Sequence, residues 1–356
     1  MERNEISAIA NGPPIKKRKL CKTKFIIGNN KDNGNSSDIM NELKDIVFQY
    51  ENGLRKVKPY YYNYKTFAKG LIIPIAIGSP IYRPKKIKFK KFVVFGDSYS
   101  DNGNVFLLTN KTWPISIGGR FSNGWVWPEH LSRLSNAKLV DLAYGGATTD
   151  NDLIKGFTGR NSDVLVPGIK QQVDKYLKHC KKKKSDSTLF TVWDAGNDYL
   201  NSNYSIDPKL LVKSIMTSIN TLYTKVGAIN YFVPDLPDLT ITPMIRELPE
   251  LKTKVPNVVK LHNSELKIAL DAFEKTNPKV KIYRFPTVKW FKSILTPNNT
   301  KITQSGIENT VDACANFYAT PPIVCPNPDK YAFWDSVHLT TKIHKLFADH
   351  VIKLLK

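Results

Sequence analysis

Long apolar runs and cysteines are scarce in this chain of 356 residues. No uninterrupted apolar run reaches the roughly 20 residues that a membrane-crossing helix needs. Four cysteines are few for this length. Hydrophobic residues make up 41% of the chain and aromatic residues 11%, which is enough to bury a substantial core. We therefore expect a globular protein rather than a membrane-spanning one.

Several signatures of other protein classes are also missing. No internal repeat is visible, and no Gly-x-Ser-x-Gly turn is present, which argues against an α/β-hydrolase fold. Most histidines lack the spacing of metal ligands, so the sequence predicts no metal and no cofactor. These histidines are His130, His179, His262, His344 and His350.

The formal net charge of +22 is concentrated toward the N-terminus. Residues 1–91 hold 20 of the 53 basic side chains and only 7 of the 31 acidic ones. The run Lys16–Lys19 could be a nuclear-localisation or nucleic-acid patch, but a solvated tail is the favoured interpretation because no nucleic-acid-binding fold signature accompanies it. Weak contact of this basic segment with anionic surfaces stays an alternative.

The composition divides the chain into three parts. It predicts a disordered basic tail at residues 1–37, a basic extension with a short helix and an aromatic stretch at residues 38–90, and one folded domain at residues 91–356. The first 20 residues lack the apolar core of a signal peptide. A signal-like run lies instead at Leu71–Gly78, which suggests the hypothesis that the translation start lies nearer to it.

From Lys91 onward, short apolar runs alternate with longer mixed segments, the pattern of βαβ construction. This pattern predicts an α/β fold, namely a three-layer α/β/α sandwich with a flavodoxin-like, mainly five-stranded parallel sheet. The predicted strands are Phe92–Phe95, Leu139–Leu142, Thr188–Trp193, Ala228–Val233 and Val280–Phe285. The predicted helices are Val126–Leu134, Gly168–His179, Pro208–Val226, Val255–Lys275 and Thr340–Leu355.

A serine stands directly after the first of these strands, in the run Phe92–Asp101. Ligands bind outside the carboxyl ends of strands in an open parallel sheet, so Ser98 is a candidate nucleophile. A serine hydroxyl needs a base held by a carboxylate. Near the C-terminus, Asp335 precedes His338 by three residues, so one loop can carry both the acid and the base.

Two further segments follow strand-like runs and offer hydrogen-bond donors for an acyl oxyanion. They are Asp141–Thr148, with two adjacent glycines, and Val192–Tyr199, with Asn197. Each residue alone has an ordinary structural explanation, such as a turn serine or a helix-capping aspartate. Their combination favours an esterase site, because each segment supplies a group that the same reaction needs.

The four segments, in this order, resemble the GDSL or SGNH family of serine esterases and lipases from Lys91 to the C-terminus. This resemblance implies a Ser98, His338 and Asp335 triad, with an oxyanion hole formed by Ser98, Gly146 and Asn197. The runs Gly119–Trp125 and Gly145–Thr148 look like those of fungal acetylesterases and lipase-like members. Two departures are Ala195, where the family usually has glycine, and Leu339, where a proline commonly follows the histidine.

The resemblance implies a serine esterase that cleaves carboxylic esters, with short acetyl esters of carbohydrate as the first substrate class. A lipase or phospholipase of the same fold and an inactive binding protein are the alternatives. Cys314 and Cys325 are spaced for a local disulfide, provided that the compartment is oxidising. That spacing and the family resemblance favour a secreted protein.

Overall fold

The computed structural model describes residues 84–180, 186–193, 196–295 and 300–356. The predicted basic tail, the predicted helix after residue 38 and the aromatic stretch that follows it lie outside these residues. No helix within these ranges combines the length and apolar character that a membrane crossing requires.

Eleven strands and ten helices are formed by the described residues. The strands are β1 Lys91–Gly96, β2 Lys138–Asp141, β3 Gly156–Thr158, β4 Val164–Val166, β5 Thr188–Trp193, β6 Asn230–Pro234, β7 Lys281–Phe285, β8 Asn309–Ala313, β9 Ala315–Asn316, β10 Ile323–Val324 and β11 Tyr331–Phe333. The helices are α1 Asn104–Leu108, α2 Trp127–Ser135, α3 Ile169–His179, α4 Asn197–Asn201, α5 Pro208–Val226, α6 Pro243–Arg246, α7 Leu251–Thr276, α8 Thr287–Leu295, α9 Thr300–Gln304 and α10 Thr341–Leu354.

A five-stranded parallel sheet with the order β2-β1-β5-β6-β7 forms the centre of the molecule. The order reverses at β1, because the chain first adds β2 on one side and later adds β5 on the other. In open α/β sheets this reversal leaves a crevice at the carboxyl ends of the strands, where ligands bind. The predicted flavodoxin-like arrangement is confirmed.

Alternating side chains of β1 build the two cores on either side of the sheet. Phe92 and Val94 pack in the cluster that contains Trp127 of α2 and Phe347 of α10. The intervening residues, represented by Val93, pack in the cluster that contains α3, α5 and α7. Because successive side chains of a strand point to opposite faces, this continuously apolar strand is covered on both sides. The result is the predicted three-layer sandwich.

The observed element boundaries differ from the predicted ones mainly at one helix. Helix α7 begins at Leu251 rather than Val255 and contains Pro256 in its interior. A proline is best tolerated in the first turn of a helix, which is why the sequence pattern predicted a later start. The short antiparallel pair β3–β4 and helix α8 were not predicted.

Candidate active site

Ser98 lies two residues beyond the end of β1, at the carboxyl edge of the sheet. Gly96 is the last residue of the strand and pairs with Trp193 of β5. A Cβ atom at Gly96 would lie 2.7 Å from the backbone oxygen of Trp193, so only glycine fits at this crossing. The chain can therefore turn sharply after β1 and present the serine above the sheet.

The side chain of Gln172 fixes the backbone at the end of β1. Its amide oxygen accepts a hydrogen bond from the Gly96 N–H at 3.0 Å, and its amide nitrogen donates to the Gly96 carbonyl at 2.8 Å. The residue is fully buried on the apolar face of α3. Sequence reasoning missed this support, although a glutamine at a core position of an amphipathic helix was a usable signal.

His338 contacts both Ser98 and Asp335. Its Nε2 atom lies 2.8 Å from the Ser98 Oγ, and its Nδ1 atom lies 2.8 Å from both carboxylate oxygens of Asp335. The side chains of His338 and Asp335 are 15% and 22% exposed, and Ser98 is buried. The structure thus brings together the three residues that the sequence selected from segments about 240 positions apart.

The loop between Asp335 and His338 is organised by the carboxylate itself. Asp335 Oδ1 accepts the backbone N–H groups of Val337 and His338 at 2.9 and 2.7 Å. Burial alone would raise the pKa of Asp335, but the His338 ring and these two N–H groups offset it and hold the pKa below its usual value. The carboxylate is therefore ionised at neutral pH and can stabilise a positively charged imidazole.

The expected oxyanion donors lie in three segments that contact one another. No hydrogen bond among the described residues uses the backbone N–H of Ser98 or Gly146, which leaves both available to a ligand. The Asn197 amide nitrogen donates to the Ala147 carbonyl at 2.8 Å and lies 3.4 Å from Asp97 Oδ2. Asn197 is thus oriented between the residue that precedes Ser98 and the residue that follows Gly146.

Two buried aspartates connect the segments of the site. Asp101 accepts backbone N–H groups from Gly103, Asn104 and Val105, and a fourth from Gly145 at 2.9 Å. Burial raises the pKa of Asp101 to about 6, and the four N–H groups act in the opposite direction. Asp198 accepts the backbone N–H and the hydroxyl of Thr149. These contacts show that both carboxylates order the loops of the site.

The aromatic residues near the motifs belong mostly to the core. Trp127 and Trp193 are 1% and 4% exposed, and Tyr144 is also buried. Trp125 is exposed, but it packs against His130 and Arg133 of α2. These contacts explain the four aromatic residues by packing.

A disulfide joins Cys314 and Cys325, as their spacing suggested. The Cys314 N–H donates to the Phe333 carbonyl at 3.1 Å, and the Ala315 N–H donates to the Trp334 carbonyl at 2.7 Å. The disulfide-closed loop is therefore hydrogen-bonded to the two residues that precede Asp335. In this way it restrains the segment that carries the acid and the base.

The model of the GDSL-like lipase/acylhydrolase family matches residues 92–351. The chain belongs to this family. It is 27% identical over 289 residues to a thermolabile hemolysin of Vibrio parahaemolyticus, covering 75% of this chain and 64% of the relative. It is 27% identical over 157 residues to an acetylesterase of Hypocrea jecorina, covering 40% of this chain and 44% of that protein.

The chain thus spans less than two thirds of the length of these two relatives. A solved structure of a putative GDSL-like lipase from Parabacteroides merdae aligns with a TM-score of 0.43 and 12% identity, over 77% of this chain and all of that one. The description of this family names lipases and acylhydrolases.

Proposed function

We propose that this protein hydrolyses carboxylic esters with Ser98 as nucleophile, His338 as general base and acid, and Asp335 as the group that orients His338. The observation that carries the proposal is the continuous hydrogen-bonded series from the Ser98 Oγ through both nitrogens of His338 to the Asp335 carboxylate. A serine hydroxyl with no such base is a weak nucleophile.

The reaction follows from this arrangement in two steps. His338 Nε2 takes the Ser98 proton as Oγ attacks the ester carbonyl, and the N–H groups of Ser98 and Gly146 with the Asn197 amide hold the oxyanion. The imidazolium then protonates the departing alcohol, which leaves an acyl group on Ser98. His338 next deprotonates a water molecule, whose attack releases the acid and restores the serine.

Short acetyl esters of carbohydrate are the proposed substrate class. Support comes from the motif runs Gly119–Trp125 and Gly145–Thr148 and from the likeness to the acetylesterase. Cleavage of such esters requires only a small acyl site beside the oxyanion donors.

Lipid esters are a second candidate, favoured by the distribution of exposed apolar side chains. Of sixteen large hydrophobic side chains that are exposed among the described residues, nine lie in three short stretches next to the site segments. These are Leu107, Leu108, Ile115, Leu153, Phe157, Leu165, Tyr318, Ile323 and Val324. Residues in or beside the same three stretches, such as Trp113, Val166 and Phe317, belong to one buried cluster. Exposed apolar residues that are grouped together mark binding surfaces.

A series of p-nitrophenyl esters from acetate to palmitate tests the reaction and separates the two substrate classes. We expect Ser98→Ala to lose at least about 10³-fold in kcat. Ser336→Ala, which changes an exposed serine of the Asp335–His338 loop, should keep normal turnover. Turnover confined to acetate, with acetate release from acetylated oligosaccharides, would support the carbohydrate class, and turnover of long chains would support lipid esters. Normal activity in Ser98→Ala would refute the mechanism.

A further inference from the structure

The residue that follows the nucleophile also contacts the segment that carries the base. Tyr99 is 1% exposed, and its hydroxyl donates to the Val337 carbonyl at 3.1 Å. Its ring meets the His338 ring edge-on, with the centroids 6.2 Å apart. Tyr99 is the neighbour of Ser98 in the chain, and Val337 is the neighbour of His338. One side chain therefore bridges the two segments whose reactive atoms must meet.

Two other carbonyls of the Asp335–His338 loop accept hydrogen bonds from donors outside the segment that carries Ser98. The Ser336 carbonyl accepts from the Met244 N–H at 2.9 Å, and the His338 carbonyl accepts from the Trp334 N–H at 2.7 Å. Of the donors to the Ser336, Val337 and His338 carbonyls, only the Tyr99 hydroxyl belongs to the segment that carries Ser98. The Tyr99 hydroxyl thus joins the segment that carries Ser98 to the backbone beside His338.

A tyrosine is unexpected at this position. The family is named after the sequence Gly-Asp-Ser-Leu, whereas this chain reads Gly-Asp-Ser-Tyr at residues 96–99. A leucine side chain could fill the same apolar space but has no hydrogen-bond donor for the Val337 carbonyl. Val337 is only half-buried, but its carbonyl would lose this donor if the hydroxyl were removed, and we expect the loop to shift in response.

We propose that Tyr99 is a positioning residue, which sets the distance between Ser98 Oγ and His338 Nε2 through its hydrogen bond to the Val337 carbonyl. This inference rests on the proposed function, because it assigns a role relative to the proposed nucleophile and base. Burial, with Asp97 and Asp335 nearby, raises the pKa of Tyr99 well above its ordinary value. The hydroxyl thus keeps its proton at neutral and mildly alkaline pH.

Tyr99→Phe tests the proposal, since it removes only the hydroxyl. We expect kcat to fall about tenfold with KM within about twofold, because proton transfer depends steeply on donor–acceptor geometry. The rate at which a p-nitrophenyl phosphonate modifies Ser98 should fall by a similar factor. Tyr99→Leu, which introduces the residue of the family name, should lower kcat as much as Tyr99→Phe does.

Tyr231→Phe is the matched control. Tyr231 is fully buried in the core on the other face of the sheet, and its hydroxyl donates to the Ile219 and Ala228 carbonyls at 3.1 Å. A purely structural hydroxyl should lower Tm when removed and leave kcat unchanged, which is the result expected for Tyr231→Phe. The proton NMR signal of the His338–Asp335 hydrogen bond should shift in Tyr99→Phe and not in Tyr231→Phe.

The proposal is overturned if kcat, the phosphonate reaction and the NMR signal in Tyr99→Phe all match wild type. It is also overturned if Tyr99→Phe and Tyr231→Phe lose kcat equally. Ser98→Ala, measured in parallel, distinguishes this failure from that of the proposed function. An active Ser98→Ala refutes the mechanism itself, whereas an inactive Ser98→Ala beside a normal Tyr99→Phe refutes only the role of Tyr99.

Discussion

Gly146 has a backbone conformation that other residues rarely adopt, with a φ of 84°. A Cβ atom there would lie 2.0 Å from the Phe157 backbone oxygen in β3. The positive φ is needed for the turn that leaves the Gly146 N–H unpaired, and the close approach of β3 fixes that turn in place. The proposed oxyanion donor is thus held by backbone packing.

Gly146→Ala should therefore impair both the oxyanion hole and stability. We expect a loss in kcat of about 10²–10³-fold, the usual cost of one oxyanion donor. Gly306→Ala is the matched control, because Gly306 has a φ of 79° and the nearest atom to its Cβ position is the Lys342 Nζ, 3.4 Å away. That variant should lose about 1–2 kcal/mol of stability and keep its kcat. Equal kcat values for the two variants would contradict the assignment of Gly146.

Asp335→Asn tests the orientation of His338. The asparagine side chain is nearly isosteric but neutral, so it neither fixes the same imidazole tautomer nor stabilises the imidazolium. We expect a fall in kcat of about 10³–10⁴-fold with little change in Tm. Asp312→Asn should have normal turnover, because the Asp312 carboxylate is exposed and accepts only a local bond from Asn309. A normal kcat in Asp335→Asn would remove Asp335 from the mechanism.

Some site residues could be predicted from the sequence and others could not. Ser98, Asn197 and His338 are of the types that ester chemistry requires, and each lies just after an apolar strand or in a short motif. The roles of Gln172 and Tyr99 depend on contacts with residues 76 and 238 positions away. Local patterns carry no information about such pairings, although the polar residue on the apolar face of α3 was a hint.

At the scale of elements, the positions of the five central strands and of five helices followed from apolar periodicity to within a few residues. The central strands are buried on both faces, so their apolar runs are continuous and easy to recognise. The pair β3–β4 is only three residues long on each side and carries the exposed residues Phe157 and Leu165, which gave no such pattern. Its position was determined by tertiary contact with the turn at Gly146.

The disulfide-closed loop makes a testable contribution at this scale. Replacing Cys314 and Cys325 together by serine should lower the free energy of unfolding by about 2–3 kcal/mol, because the unfolded chain regains the entropy of a short loop. The kcat should also fall, since this loop is bonded to Phe333 and Trp334 beside the acid. Thermal unfolding and ester turnover of the double variant measure both effects. Unchanged kcat with a lowered Tm would show that the loop supports the fold but not the site.

For the whole molecule, buried titratable groups act on stability in two opposite directions. Burial lowers the pKa of His130 and of His262 to about 4, and it also lowers that of His344 well below its ordinary value. Burial also raises the pKa of Asp101 and of Asp235 to about 6. The histidines bind protons less readily in the folded chain, so they favour the folded state above pH 6.5 and unfolding below it. The two carboxyl groups bind protons more readily in the folded chain, so they favour the folded state at acidic pH. Between pH 4 and 6.5, the effects of the histidines and of the carboxyl groups on the free energy of unfolding partly cancel.

His262→Gln should remove one group from this balance. The unfolded chain binds a proton at His262 near pH 6.5, but the folded chain does so only near pH 4, so wild-type stability from this group falls as the pH is lowered between these values. The glutamine does not titrate and can still accept the bond that Tyr199 makes with His262. The free energy of unfolding of the variant minus that of wild type should therefore rise by up to about 3 kcal/mol when the pH is lowered from 7 to 4. Denaturant titrations of both proteins at pH 7 and pH 4 measure this rise. The same variant-minus-wild-type value at the two pH values would contradict the prediction.

The central claim is that His338 activates Ser98 as the nucleophile, and covalent trapping tests it most directly. The full chain would be treated with an alkyl p-nitrophenyl phosphonate, and the modified residue would be located by mass spectrometry of the peptides. We predict release of one equivalent of p-nitrophenol, loss of esterase activity in parallel and a single adduct on Ser98, with no reaction in His338→Ala. An adduct on another residue, or full modification of Ser98 in His338→Ala, would contradict the claim.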